Sequence, residues 1–418
     1  MELLPHQTRN VTRLIRSLTD RRFGLDASDT GTGKTITALA VAREMRRRPV
    51  VICPLSVGPA WVAKANSMST AADDSAAASR AGGSSSVDWI NYERVRPNKK
   101  AEAFIRAIDP DNDLVILDEA HRVSAPDTLT AKLAKRIVDL GVPVLAASAT
   151  PFSTPLKTRW FLHAAGITRW AAWYDALPEM GCYRHKSLKG RPWLWDNNPA
   201  VIASIRDALS DSMVATRWTE VDGFASRTVQ PVAVTTSIKP AAINELRAAV
   251  EERGLGATTQ ERVRLEQARV ASMVDMTRDL LATGHSVVAA FNFTAPLLEY
   301  AETFDAHVIH GKTPVAARAH VVEQFQRTDH PRIVAINSQA GGEGIDLLSP
   351  FPTVSLISPP YDARTLLQVI GRTHRIGAHH PAICRILFAA GSVEEHSVMP
   401  KVQAAAKNLE TLKDTTLL

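Results

Sequence analysis

Cysteine is scarce in this chain. Cys53, Cys182 and Cys384 are the only three among 418 residues, far apart and in no C-x-x-C pair. Neither a disulfide framework nor a cysteine zinc site can organise the fold, and a reducing compartment suits the sequence. Long apolar runs are also missing: no stretch approaches the ~20 residues that a membrane-spanning helix needs. The N-terminus M-E-L-L-P-H-Q has no basic segment leading into an apolar core, so neither export nor a membrane anchor is expected, and the expected location is the cytoplasm. A strong charge imbalance is absent too. Lys and Arg number 49 against 43 Asp and Glu, a net charge of +6. That balance tilts toward a polyanionic partner without defining one. What remains is an ordinary globular composition, 45% hydrophobic and 22% charged, in a chain too long for one core and suited to two or three domains.

The most informative stretch is residues 28–35, S-D-T-G-T-G-K-T. A short strand is expected before it, over residues 23–27, and a helix after it, over residues 36–45, so the glycines fall at a strand-to-helix turn. Thr30, Gly31, Thr32 and Gly33 can close their backbone N–H groups around phosphate oxygens at a helix N-terminus. Lys34 adds a point charge for the β- and γ-phosphates, and Thr35 offers a hydroxyl to Mg²⁺. Ser28 stands where the full G-x-x-x-x-G-K-[ST] pattern has glycine. Upstream, Leu3, Leu4, Val11, Leu14, Ile15 and Leu18 space an amphipathic helix, with Gln7 near its start.

Further strands are expected at residues 49–53, 87–92, 114–117 and 142–147, with helices around Trp61 and over 104–108. Residues 71–86 are Ala, Ser, Gly and Asp with almost no large apolar side chain, and read as a surface loop. The run at 114–117 ends in Asp118-Glu119-Ala120-His121. Carboxylates at the C-terminal edge of a buried parallel strand lie where such sheets place their ligands. Asp118 can hold Mg²⁺, and Glu119 can orient and deprotonate the water that attacks a γ-phosphate. The alternation of strand and helix predicts a doubly wound parallel sheet over residues 1–155.

Residues 156–231 change texture. Six of the eight tryptophans fall there, interleaved with Arg159, Arg169, Arg184, Lys186, Lys189, Arg191 and Arg217. Stacking on nucleic-acid bases and simple core packing are both open readings. A second α/β series follows over residues 232–418, with a long helix marked by Leu265, Met273, Met276 and Leu280, and strands at 286–291, 308–309, 332–337 and 354–357. His310-Gly311-Lys312-Thr313 lacks the first glycine pair of a phosphate loop and is discounted. Gly341, Gly342 and Gly344 imply a backbone approached closely by a ligand or by the other domain. Arg372 and Arg375 lie three apart on one expected helix face, a spacing that lets two guanidinium groups clamp a phosphate.

In this order the stretches resemble the motifs of superfamily 2 helicases and nucleic-acid translocases, and within them are most similar to the Swi/Snf-type ATPases. Gln7 matches the adenine-reading glutamine and residues 28–35 match motif I. Residues 54–61 match motif Ia, 118–121 motif II, 148–150 motif III, 338–346 motif V and 368–375 motif VI. The phrases P-L-S-V-G-P-A-W, I-N-Y-E, D-E-A-H-R and H-R-I-G carry the Swi/Snf flavour, while S-A-T and Asp346 are closer to general superfamily 2 members. The resemblance implies two RecA-like lobes with an aromatic-rich helical insertion between them. ATP and Mg²⁺ would be held by Gln7, residues 30–35 and Asp118, with Gly344, Asp346, Gln368 and the arginine fingers Arg372 and Arg375 contributed by the second lobe. It also implies translocation on double-stranded DNA gripped through its backbone, with strand separation on branched DNA or RNA as the alternative and an inactive nucleotide-binding scaffold as a remote one. A monomer is expected, with targeting left to the middle segment or a protein partner.

Overall fold

The computed structural model describes residues 2–68, 87–94, 99–185, 192–236, 238, 255–339, 345–360 and 362–413. The expected loop at 71–86 lies outside them. Two compact units emerge, one of residues 1–221 with 407–418, the other of residues 222–406.

The first unit is built on a six-stranded parallel sheet. Its strands in chain order are β1 (Phe23–Asp26), β2 (Arg48–Cys53), β3 (Asp88–Asn91), β4 (Asp113–Asp118), β5 (Val144–Ala147) and β8 (Met213–Val214). They lie in the order β3-β2-β4-β5-β1-β8. Continuous apolar runs such as Leu114 to Leu117 are what a parallel strand covered on both faces requires, and those four residues are buried. Helices α1 (Pro5–Arg21), α2 (Lys34–Glu44), α3 (Gly58–Met68), α4 (Lys99–Ala107) and α5 (Leu129–Asp139) complete the layers. One apolar cluster joins Val11, Leu14 and Leu18 of α1 with Leu39 and Val41 of α2 and Trp61 of α3.

The aromatic middle segment feeds the other cluster of this unit. Trp160 and Phe161 of α6 (Arg159–Ala164), Trp173 of α7 (Trp173–Ala176), and Ile202 and Leu209 of α8 (Pro199–Leu209) are buried with Phe23, Val144 and Leu177. Between the last two of these helices a small antiparallel pair, β6 (Cys182–Arg184) with β7 (Trp193–Trp195), packs its tryptophans partly against the same cluster. Arg159 is enclosed by aromatics, its guanidinium 4.2 Å from the Trp170 ring and 4.7 Å from that of Tyr174, and it pairs with Asp127 at 2.9 Å. Core packing therefore accounts for Trp160 and Trp173, and cation–π stacking for Arg159.

The second unit repeats the plan. β9 (Arg227–Val234), β10 (Ser286–Phe291), β11 (His307–Ile309), β12 (Ile333–Asn337), β13 (Thr353–Ile357) and β14 (Ala382–Ala389) form a parallel sheet in the order β11-β12-β10-β13-β14-β9. Pro231 is accommodated because β9 is an edge strand. The long helix expected around Leu265 is two helices, α9 (Leu255–Ala268) and α10 (Val270–Ala282), joined at Arg269. Then come α11 (Thr294–Phe304), α12 (Val315–Gln326), α13 (Ala363–Thr373) and α14 (Met399–Lys413), whose residues from 407 on belong to the first unit. Asp362 caps α13 by accepting from Thr365 N at 2.9 Å. No helix among the described residues is long and apolar enough to cross a membrane.

Candidate active site

In the first unit the phosphate loop leaves β1 and enters α2, as the glycine spacing demands. Gly33 has φ +92°, and a Cβ there would lie 2.3 Å from Gln7 Nε2. Only glycine fits both the backbone and the neighbour. Gln7 donates to the Thr32 carbonyl at 3.3 Å, and His6 Nε2 donates to the same oxygen at 2.9 Å. Helix α1 thus grips the loop through two side chains, of which sequence reasoning named one. Thr32 is buried, while Thr30, Gly31, Lys34 and Thr35 are half-buried.

Ser28 has a role that glycine could not fill. Its hydroxyl accepts from Thr216 N at 3.0 Å and from Asn10 at 3.4 Å, tying the loop to the residues after β8. Lys34 Nζ donates to the carbonyls of Ser28 and Asp29, each at 2.9 Å. Burial lowers the pKa of its ammonium, opposed by the charges of Asp26 and Glu119. Asp29 carries two further bonds, from Trp218 N at 3.0 Å and from Lys413 of α14. Burial pushes its carboxyl up, and Lys413 with these donors more than offsets it, leaving the pKa below the usual aspartate value.

β5 lies between β1 and β4, so the acids reach the sheet edge one strand away from the loop. Asp118 ends β4. Its Oδ2 accepts from Trp61 Nε1 at 2.8 Å, its Oδ1 from Glu119 N at 3.0 Å, and its carbonyl from Tyr92 Oη at 2.8 Å. Burial and then the Glu119 charge raise its pKa to about 6, against the Trp61 bond and the Lys34 charge. Glu119 adopts φ +54°, a conformation that costs a non-glycine residue roughly 1 kcal/mol and concentrates at functional sites. His121 Nδ1 lies 3.1 Å from Glu119 Oε2 and 3.4 Å from the Ser148 hydroxyl, and Ser148 N donates to the Asp26 carbonyl at 3.0 Å. Residues 118–121 and 148–150 are thereby joined to β1.

The second unit presents its own group. Arg372, at the end of α13, is nearly enclosed and donates to the Ile345 carbonyl at 2.9 Å. Arg375 is more open, pairs with Asp346 at 2.8 Å and donates to the Gly371 carbonyl. Asp346 also accepts from Gln326 through its carbonyl. Gln368 is buried on α13, and its Nε2 finds no protein acceptor among the described residues. Gly344 lies outside the described residues. Asn292 and Phe293, just past β10, donate their backbone N–H groups to buried Glu266, at 2.7 and 3.2 Å.

Thr35 and Asp118 supply hard oxygen donors, the kind that suit Mg²⁺ sharing its shell with water and phosphate. No group of three or more His, Cys, Asp or Glu among the described residues could hold a metal by itself. A hydroxyl and a carboxylate completed by a substrate are what this donor set can offer.

Two family models match, in order along the chain. The type III restriction enzyme res subunit covers residues 1–153, and the helicase conserved C-terminal domain covers residues 272–377. The DNA annealing helicase and endonuclease ZRANB3 of Mus musculus is 22% identical over 94% of this chain. The chain is similar to the Swi/Snf-type ATPases of helicase superfamily 2. It is an ATP-hydrolysing enzyme. A protein of Acanthamoeba polyphaga mimivirus named as an ATP-dependent RNA helicase is 25% identical over the whole of this chain and 84% of its own length. The chromatin-remodelling ATPase INO80 of Cryptococcus neoformans is 27% identical over 32% of the chain. The chain spans 39% of ZRANB3 and 8% of INO80. Among solved structures, a Sulfolobus solfataricus SWI2/SNF2 ATPase core in complex with dsDNA aligns over 100% of this chain and 96% of that one, at 15% identity and a TM-score of 0.42.

Proposed function

We propose that this ATPase is a motor that moves along double-stranded DNA, driven by ATP held between its two lobes. The observation that carries the reading is the convergence of Lys34, Asp118 and the strained Glu119 at one sheet edge of the first unit. Phosphoryl transfer is catalysed mostly by positioning and by stabilising charge, and these residues divide that work. On binding ATP, Lys34 exchanges the Ser28 and Asp29 carbonyls for phosphate oxygens. Glu119, oriented by His121, takes the proton of the attacking water. Mg²⁺ on Thr35 and Asp118 would neutralise the phosphate charge and order the leaving group. Arg372 and Arg375 act as fingers, exchanging the Ile345 carbonyl and Asp346 for the γ-phosphate, so turnover requires closure of the lobes. Gln7 reads the adenine, and residues 54–61, 338–346 and the segment after Phe291 meet the nucleic-acid backbone. Residues 1–155, 156–231 and 232–418 would be the first lobe, its aromatic insertion and the second lobe.

DNA is favoured by the name of ZRANB3, a DNA annealing helicase and endonuclease. The mimivirus relative, named for RNA, favours a second reading as a strand-separating helicase. ATPase stimulation by duplex DNA, single-stranded DNA and RNA, read beside triplex displacement and duplex unwinding, tests both. Duplex stimulation with displacement and no unwinding is the expected result, and Lys34→Ala should abolish ATP binding and both signals. RNA stimulation with unwinding would replace the motor reading. Because backbone contacts release counterions, raising salt from about 50 to 200 mM should weaken DNA binding at least ~10-fold, with little dependence on sequence. A binding titration at each salt checks this.

A further inference from the structure

Beside the acids of the ATP site described above lies a buried donor on α3, Trp61. Trp61 is 1% exposed, and its indole is packed in the apolar cluster beneath α2 and α3. Such a ring needs no polar partner to be stable there. In the same unit the indole N–H groups of Trp160, Trp193 and Trp195 find no protein acceptor among the described residues. Trp61 instead places its N–H 2.8 Å from one carboxylate oxygen of Asp118, the residue that ends β4 at the sheet edge. The helix is registered for this contact from its first residue. A Cβ at Gly58 would lie 2.3 Å from the Trp89 ring, so glycine lets α3 settle onto β3 one turn before Trp61.

Asp118 is gripped on three sides. Glu119 N holds Oδ1, Tyr92 holds the main-chain carbonyl, and Trp61 alone among these donors holds Oδ2. We infer that Trp61 is a positioning residue for the cation that accompanies ATP: by fixing Oδ2 it sets the rotamer in which the Asp118 carboxylate meets Mg²⁺. The inference rests on the reading of this site as one for ATP with Mg²⁺. Donors that orient a ligating carboxylate typically change metal affinity 10- to 100-fold when removed. Trp61 also closes the phrase P-L-S-V-G-P-A-W, so the first turn of α3 ties the end of that stretch to Asp118.

The test is an equilibrium titration of a fluorescent ATP analogue against Mg²⁺ with the full chain. Trp61→Phe removes the donor and keeps an apolar ring. It should raise the Mg²⁺ concentration for half-maximal tightening about 10-fold or more, while affinity in EDTA stays within about 2-fold of wild type. Tyr92→Phe, which loses a bond to the backbone carbonyl and not to the carboxylate, should shift the Mg²⁺ midpoint less than about 3-fold. If the smaller ring at position 61 impairs folding, benzothienylalanine there keeps the bicyclic shape and deletes only the N–H. An unchanged Mg²⁺ midpoint in the Trp61 variants, or an equal shift in Tyr92→Phe, overturns the positioning role and leaves the site assignment intact. Loss of Mg²⁺-dependent tightening in the wild type would instead remove the reading on which it rests.

Discussion

Glu119→Gln should hold ATP and fail to turn it over. The substitution keeps the length of the side chain and its capacity to accept a hydrogen bond, so the approach to His121 Nδ1 at 3.1 Å can survive. What disappears is the base. General base catalysis is worth about 10²- to 10⁴-fold, and kcat should fall by that factor while nucleotide affinity stays within a few-fold. Glutamine meets the same backbone cost at φ +54° as glutamate, so the melting temperature should not fall with the rate. Affinity should if anything improve: after burial, the Glu119 charge is the strongest influence raising the Asp118 pKa, and its removal favours the ionised carboxylate that a cation needs. Single-turnover hydrolysis and filter binding of labelled ATP separate the two effects. A kcat within about 3-fold of wild type would reassign the base.

The second large effect concerns stability. Arg269, at the junction of α9 and α10, forms an ion pair with Glu394 inside the second unit, and both side chains are essentially inaccessible. Glu394 Oε2 also accepts from Ala389 N, and Arg269 reaches the Ser358 hydroxyl just past β13. Nearby, Arg262 donates to the Pro359 carbonyl, which also accepts from Asn292. These groups form a polar brace under the loops that follow β10 and β13. Glu394→Ala would strand a guanidinium in the core, a loss of about 3–5 kcal/mol. Replacing both partners by apolar residues removes the stranded charge along with the pair, so Arg269→Met with Glu394→Leu should cost clearly less than Glu394→Ala alone. Urea denaturation of the three chains measures the difference. A loss below about 1 kcal/mol for the single substitution would mean that water reaches the pair.

The parts of this molecule that could be read from sequence are those in which one local pattern reports one environment. The strand at Ser286 to Phe291 is a run of buried residues, and the loop before Lys34 has a glycine where φ is positive. β8 was invisible because two residues, Met213 and Val214, carry no period. β14 was missed because Arg385 interrupts its apolar run, and the split at Arg269 because an arginine suits a helix surface as well as a buried junction. The contacts that finish the candidate site join residues distant in the chain: His6 to Thr32 across 26 positions, Trp61 to Asp118 across 57, and Lys413 to Asp29 across 384. No window along the sequence reports such pairings. The tryptophans of the middle segment were ambiguous because an indole serves equally as core or as a stacking surface, and burial decides for Trp160 and Trp173.

The last helix gives the first unit a discontinuous polypeptide. Leu412 is fully buried in that unit's cluster, and Asn408 donates to the Ser153 carbonyl and to Asn197. During synthesis, therefore, residues 1–221 of the first unit emerge before the second unit and residues 407–413 after it. Until residues 407–413 arrive, Asp29 lacks its lysine and an apolar face lies open, so a nascent chain would be most vulnerable to chaperone capture or proteolysis in that interval.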